Sequence, residues 1–262
     1  MEMKLGISNL VWEKEEDIIW LLKENNIYYV EIVLPKHINW NENDLSKLYN
    51  YVDYLQNNDL KILSTQAIFF NSGIKEFTGN DFINHINKVS EVCKNIGVKS
   101  IVLGAPTMRT TNSYVKLGDT FKYINEIIEK NNQTLLLEPN SRIYNGKYFY
   151  TLNEIVNFIN DNKFTNIKTM IDTHNMILEN ENLIDTFLQN KEYIKHIHVS
   201  EVELDEFKES KEHIDLSDIL KKENYDGLVI YEAKPSKNIE KNIKEFSKIY
   251  EKRNISNSTF QI

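Results

Sequence analysis

The sequence predicts an α/β protein that closes into a single (β/α)8 TIM barrel, and three observations predict it. Short β-rich runs alternate with amphipathic segments along the whole chain, eight times over. The length, 262 residues, suits one such barrel. All four prolines, Pro35, Pro106, Pro139 and Pro235, fall directly or shortly after strand-like runs, where a residue without a backbone N–H ends a ladder.

In chain order the strand candidates are Lys4–Ser8, Tyr28–Val33, Lys61–Thr65, Ser100–Leu103, Thr134–Glu138, Lys168–Asp172, Ile194–Ser200 and Leu228–Glu232. Between them apolar residues recur at three- and four-residue spacing, the period of a helix with one buried face. Examples are Ile18, Ile19, Leu21 and Leu22, then Phe121, Ile124, Ile127 and Ile128, then Ile155, Phe158 and Ile159. A final helix covers Ile239, Ile243, Phe246, Ile249 and Tyr250. Start signals sit at Asn80-Asp81, at Thr151 with Glu154 three residues on, and at Asp215 before Leu216. Connections of ordinary length between β-rich runs favour a parallel sheet with crossover helices. There is no linker, low-complexity block or internal repeat, so one barrel domain is expected over residues 1–252, with a polar tail over 253–262. The glycosylation-like triplets at Asn254 and Asn257 fall in that tail and read as chance. The prolines mark the carboxyl rim, where barrel enzymes place their active sites.

A hydrophobic content of 41% supports a sizeable core. The formal charge of −8 argues against nucleic acid as the main partner, because phosphate binding needs a basic surface. Cys93 is the only cysteine, so no intrachain disulfide forms and nothing points to an oxidising compartment. The start, MEMKLGISNLVW, lacks the apolar stretch and cleavage site of a signal peptide. No run approaches the roughly 18 apolar residues of a spanning helix. The expectation is a soluble, cytoplasmic protein away from membranes.

Four ligand-type side chains stand at the carboxyl ends of four consecutive runs: Glu138 in TLLLE, Asp172 in IKTMID, His198 in YIKHIHV and Glu232 in GLVIYE. In parallel strands they converge, and oxygen-rich ligation with one imidazole suits Mn2+, Mg2+ or Co2+, with Zn2+ and Fe2+ also accommodated. Taken singly, Asp172 reads as a helix cap and His198 as a core histidine; the set carries the metal reading. His196 and His198 are two apart, so they share a face. His198, nearer the rim, is the better ligand, with His196 a layer deeper as a donor behind it; the reverse assignment stays open. Glu201 lies just beyond that strand.

Arg109 and Arg142 follow the fourth and fifth strands, as anchors for an anionic or polyhydroxylated substrate or as solvated loop charges. Trp12, Gln66, Phe69, Phe70, Asn140 and Tyr144 also fall in rim loops. Aromatic faces there suit the apolar face of a sugar and amides suit its hydroxyls, while Phe69 and Phe70 read equally as packing. Gly118 and Gly146 belong to no phosphate-binding pattern.

The ordered segments MKLGISNLVW, LLLEPN, MIDTHNM, HIHVSE and HIDLSDILKKENYDGLVIYE resemble the xylose isomerase-like barrel superfamily. The group they resemble is the sugar phosphate isomerases and epimerases, which includes the ketose 3-epimerases. The resemblance spans essentially the whole chain. It implies divalent-metal ligation by Glu138, Asp172, His198 and Glu232. It also implies that Glu138 and Glu232 act as the acid/base pair, removing a proton next to a carbonyl and returning it through a metal-stabilised enediolate. Homodimers and homotetramers are the assemblies it implies. A histidine usual three residues after the strand-six aspartate is here Asn175, with His174 one earlier, and this pair is carried as a substrate contact. Where ketose 3-epimerases place an arginine after the strand-seven motif, this chain has Glu201, Glu203, Asp205 and Glu206. Endonuclease IV shares the architecture but needs more histidines for three zinc ions; six scattered histidines and an acidic charge argue against it. His213, one candidate extra ligand, reads instead as preceding the helix at Asp215. The leading expectation is a metal-dependent isomerase or epimerase of a small carbohydrate or sugar phosphate. The alternatives are a dehydratase or hydrolase on the same barrel, or a non-catalytic binding barrel.

Overall fold

Eight parallel strands follow one another round a closed barrel in chain order, the eighth pairing with the first. They are β1 (Lys4–Ser8), β2 (Tyr29–Val33), β3 (Lys61–Gln66), β4 (Ser100–Leu103), β5 (Thr134–Leu137), β6 (Ile167–Asp172), β7 (Ile194–Val199) and β8 (Leu228–Tyr231). The computed structural model describes residues 3–13, 18–40, 42 and 44–251. The tail over 253–262, with the triplets at Asn254 and Asn257, lies outside the described residues.

The connecting helices are α1 (Ile18–Glu24), α2 (Ser46–Asn57), α3 (Asn80–Asn95), α4 (Tyr114–Lys130), α5 (Leu152–Asn162), α6 (Thr173–Leu178), α7 (Leu183–Asn190), α8 (Lys211–Lys222) and α9 (Ile239–Tyr250). Each long helix buries the stripe its sequence period sets. In α5 these are Leu152, Ile155, Val156, Phe158 and Ile159, and the Thr151 hydroxyl accepts from the Glu154 amide at its start. Such a cap contributes about 1 kcal/mol. Among the described residues no helix is long and apolar enough to cross a membrane.

The structure departs from the sequence expectation at several ends. β3 runs on to Gln66, and β5 and β8 stop one residue short of Glu138 and Glu232. α8 starts at Lys211, because the Ser210 hydroxyl accepts from the His213 amide. His213 therefore lies in the first turn instead of before the helix. Two helices, not one, join β6 to β7. Asn180 takes a positive φ of 56°, which ends the first, and the Asn182 side chain caps the second.

Alternation along the strands then decides what reaches the mouth. Leu135 and Leu137 enter the layer beneath the helices, while Val102, Leu136 and Met170 form a separate apolar cluster. Leu136 shares its parity with Glu138, Met170 with Asp172, His196 with His198 and Ile230 with Glu232, so each candidate ligand tops a column of like-facing residues. In the β6–β7 register Asp172 stands opposite His198, and between β1 and β2 Ser8 stands opposite Glu31.

Candidate active site

His198 is wholly buried and presents its two ring nitrogens to two different sets of carboxylates. Nδ1 lies 3.1 Å from Glu232 Oε2 and 3.4 Å from Glu138 Oε1. Nε2 lies 2.8 Å from Glu31 Oε1. A carboxylate only accepts, so the contact at Nε2 is an N–H donated to Glu31. Among the described residues Nδ1 makes no hydrogen bond. Two atoms each about 2.1 Å from one ion and separated by 90–109° stand about 3.0–3.4 Å apart. The Nδ1 contacts have that spacing, and Glu138, Asp172 and His198 offer atoms within 4.8 Å of one another. Glu232 joins them through His198. An unpartnered buried nitrogen ringed by carboxylates fits a divalent cation.

Each carboxylate is also held from one side. The Gln66 amide NH2 donates to Glu232 Oε1 at 2.8 Å, to Glu31 Oε1 at 3.0 Å and to Ser8 Oγ at 2.9 Å. Asn140 Nδ2 donates to Glu138 Oε2 at 3.1 Å. Ser200 Oγ and the Asn175 amide both donate to Asp172 Oδ1 at 3.0 Å, so Asp172 caps α6 while facing the other acids. Gly104 lies beside Glu138, where a Cβ would overlap Oε2.

The charges follow from this crowding. Burial opposes ionising His198, yet Glu31 and Glu232 overcome it and hold its pKa well above the ordinary value. Burial, with Glu138 and Glu232 nearby, raises Asp172 well above the carboxylate range. Burial pushes Glu138 upward too, but the nearby His198 charge and the Asn140 hydrogen bond bring it below its ordinary value. Glu31 is likewise depressed against burial by His198 and His196. Protons here occupy the room that a divalent cation would take, on groups that must give them up to ligate.

The other expected site residues lie as follows. His174 is buried near Glu232 and Glu138, with Nε2 2.9 Å from the Tyr144 hydroxyl, and burial lowers its pKa. Asn175 turns away, its Oδ1 accepting from the Ser141 amide at 2.9 Å. Arg109 is 1% exposed; its guanidinium donates to the carbonyls of Glu138 (2.6 Å), Gly104 (2.8 Å) and Phe149 (2.8 Å). It braces the loops after β4 and β5. Arg142 reaches outward to Glu179 at 2.8 Å. Glu201 Oε1 lies 3.2 Å from His213 Nε2, whose Nδ1 meets the Tyr250 hydroxyl. Trp12 is buried in the β1 loop, lining a groove with Pro235. Phe69 packs on Phe82, while Phe70 is 64% exposed at a cavity of about 400 Å3 that also touches Gln66, Gly104, Met108 and Glu138. His196, a layer deeper, has Nε2 3.1 Å from Glu31 Oε2, poorly aligned for a hydrogen bond. The geometry thus gathers Glu138, Asp172, His198, Glu232, Gln66, Asn140 and His174, and leaves Arg142 and Trp12 apart. Glu31 is the residue that sequence reasoning missed; its one signal is a lone acid inside the apolar run YVEIV.

Residues 20–251 match the family model of the xylose isomerase-like TIM barrel, and the chain belongs to that family. Comparison with curated proteins gives no match. Among solved structures, a 3-keto-D-glucoside 4-epimerase from E. coli superposes with a TM-score of 0.73 at 19% identity, over 94% of this chain and 97% of that one. A D-psicose 3-epimerase gives 0.70 at 17%, over 95% and 96%. A probable 3-DHS dehydratase from Bacillus anthracis gives 0.66 at 14%, over 96% and 100%. At these identities the likeness shows a shared fold.

Proposed function

We propose that this chain is a divalent-metal-dependent epimerase or isomerase of a small, uncharged, carbohydrate-like carbonyl compound. The observation that carries the reading is the unpartnered His198 Nδ1, set 3.1–3.4 Å from oxygens of Glu232 and Glu138. Glu138, Asp172, His198 and Glu232 would hold the ion, which, when bound, supplies Lewis acidity that makes a C–H next to a carbonyl easier to deprotonate. Mn2+, Mg2+ and Co2+ suit three oxygen ligands and one imidazole best. Glu138 and Glu232 are the proton-handling pair, their side chains 13% and 7% exposed at the mouth. One removes the proton and the other returns it to the opposite face. Asn140 and Gln66 each hold one carboxylate oxygen of the pair and fix which one faces His198. An uncharged substrate is favoured over a phosphate ester because Glu232, Glu138 and Glu203 bear on the mouth around His174, and both rim arginines are engaged elsewhere.

The test is solvent exchange. Metal-loaded protein in deuterated water, offered D-fructose, D-tagatose and L-ribulose in turn, should place deuterium at the carbon next to the carbonyl of at least one. Glu138→Gln and Glu232→Gln should each lower that rate about 10³-fold, within the range for acid/base groups, while keeping the fold. Full activity in either variant rejects the pair. A dehydratase is the second reading, supported by the probable 3-DHS dehydratase among the structural neighbours. It is distinguished by loss of water from the product, visible as a mass change of one water.

A further inference from the structure

Glu31 is a carboxylate sealed inside the barrel with no exposed surface, on a strand otherwise built of apolar and aromatic residues. Such a charge is costly unless paired and hydrogen-bonded. Its ion-pair partners among the described residues are two imidazoles, His198 at 2.8 Å and His196 at 3.1 Å. The acid has no route to substrate, so a role in proton transfer does not account for it.

Its contacts determine how other groups point. An imidazole that gives its Nε2 proton to a carboxylate turns its Nδ1 lone pair the other way, and the bond makes that nitrogen a better donor. In this barrel the other way is toward Glu138 and Glu232. The same oxygen of Glu31, Oε1, also accepts from Gln66, and Gln66 donates in turn to Glu232 Oε1. That leaves Glu232 Oε2 as the oxygen beside Nδ1. From the structure we infer that Glu31 is the positioning residue of the cation site. It orients His198 directly and Glu232 through Gln66, so one buried carboxylate on β2 sets two ligands on β7 and β8. His196 lies 3.1 Å from its second oxygen, a layer deeper.

Glu31, His196 and His198 also bring three ligand-type atoms within 4.8 Å, so a second ion in their midst is the competing arrangement. It would take His198 through Nε2, leaving that ring no proton to give Glu31. The inference rests on the cation reading proposed above, and its test reads metal uptake, not turnover.

Metal-free wild type, Glu31→Gln and Glu31→Leu are titrated with Mn2+ by calorimetry, with circular dichroism and the thermal midpoint as fold controls. 15N-histidine labelling lets pulsed EPR detect the imidazole nitrogen bound to Mn2+. Wild type should bind one ion with a nitrogen coupling. Glu31→Leu should bind 10–100-fold more weakly, with the coupling diminished, the range expected when a partner behind a ligand is removed. Glu31→Gln, whose amide oxygen still accepts from Nε2, should recover affinity to within about fivefold and restore the coupling. Should Glu31→Leu fail to fold, Gln66→Met carries the measurement, with a three- to tenfold loss expected. Wild-type affinity in a folded Glu31→Leu or Gln66→Met overturns the inference alone, as does a Glu31→Gln protein no better than Glu31→Leu. Two ions in wild type, one of them lost in Glu31→Leu, makes Glu31 a ligand and overturns it as well. Wild type that takes up no Mn2+ sinks the cation reading and this inference together.

Discussion

Strands β5 to β8 each carry one candidate ligand at or next to the carboxyl end, whereas β1 to β3 and the loop after β4 carry groups that hold those residues from behind. Ser8 and Glu31 close the base of the network, Gln66 at the end of β3 ties Glu232, and Gly104 and Arg109 after β4 receive and brace Glu138. Asp172 is the exception, held by Ser200 from the adjoining strand end. On the proposed reading, the difference teaches that the candidate cation site is half donor set and half scaffold. The scaffold is distributed over residues that need not resemble ligands.

Breaking the scaffold on its own side is the sharpest probe of that division, and Arg109 is expected to give the largest effect on stability. Arg109→Leu leaves the carbonyls of Glu138 and Gly104 without this donor, while Phe149 keeps the Asn140 amide. Each buried acceptor so orphaned costs about 1–3 kcal/mol, and release of a buried cation offsets part of it. A net loss of about 3 kcal/mol is expected from urea unfolding, with weaker Mn2+ binding in the protein that remains folded. An unchanged midpoint would mean the guanidinium braces nothing, and the line drawn between the two halves of the barrel would fail at β4.

Gly104→Ala is expected to act on the site and spare the fold. The added Cβ meets the end of the Glu138 side chain, which can swing aside without moving backbone. Stability should change by less than about 1 kcal/mol. The displaced carboxylate should raise the Kd for Mn2+ about tenfold, of the order seen when a ligand loses its orientation. Equal affinity in the two proteins would show that Glu138 does not need the place Gly104 leaves open.

Legibility in the sequence follows the same division. The ligand half announces itself because an acid or imidazole directly after an apolar run, followed by a loop signal, has few other reasons to be there. Glu138 before Pro139 and Asp172 before Thr173 are of that kind. The holding half is nearly silent. A lone acid in YVEIV reads as the solvent side of an alternating strand, and only a barrel buried on both faces turns Glu31 inward. Gln66 reads in sequence as a rim amide suited to a hydroxyl, yet what it touches is two carboxylates from other strands, a contact no local pattern encodes. The strand order and the family were readable because the β-run and helix period repeats along the chain. The split of α6 from α7 was not, since it turns on one left-handed asparagine.

The two rim arginines, alike in sequence, give the finest test. Arg109 is buried, while the Arg142 side chain is 64% exposed and meets Glu179 through Nε and the Tyr150 ring at 4.8 Å. The Glu179 side chain is 4% exposed, but the Arg142 end stands in water, which screens the pair toward the roughly 0–1 kcal/mol of surface pairs. Glu179 also keeps the Ser141 hydroxyl and the Arg142 amide as donors whatever the side chain at that position. Arg142→Ala should therefore cost less than about 1 kcal/mol at neutral pH. Burial pushes the Glu179 carboxyl up, but the Ser141 and Arg142 hydrogen bonds bring it below the ordinary value. A depressed acid contributes stability above its unfolded pKa and loses it as pH falls through the folded one. The gap between wild type and Arg142→Ala should then narrow in urea melts as pH falls below the ordinary carboxylate range, while the Arg109→Leu deficit persists because its acceptors are carbonyls. A loss at Arg142 as large as that at Arg109, or a gap that widens in acid, would erase the distinction between a charge on the rim and one that braces the site.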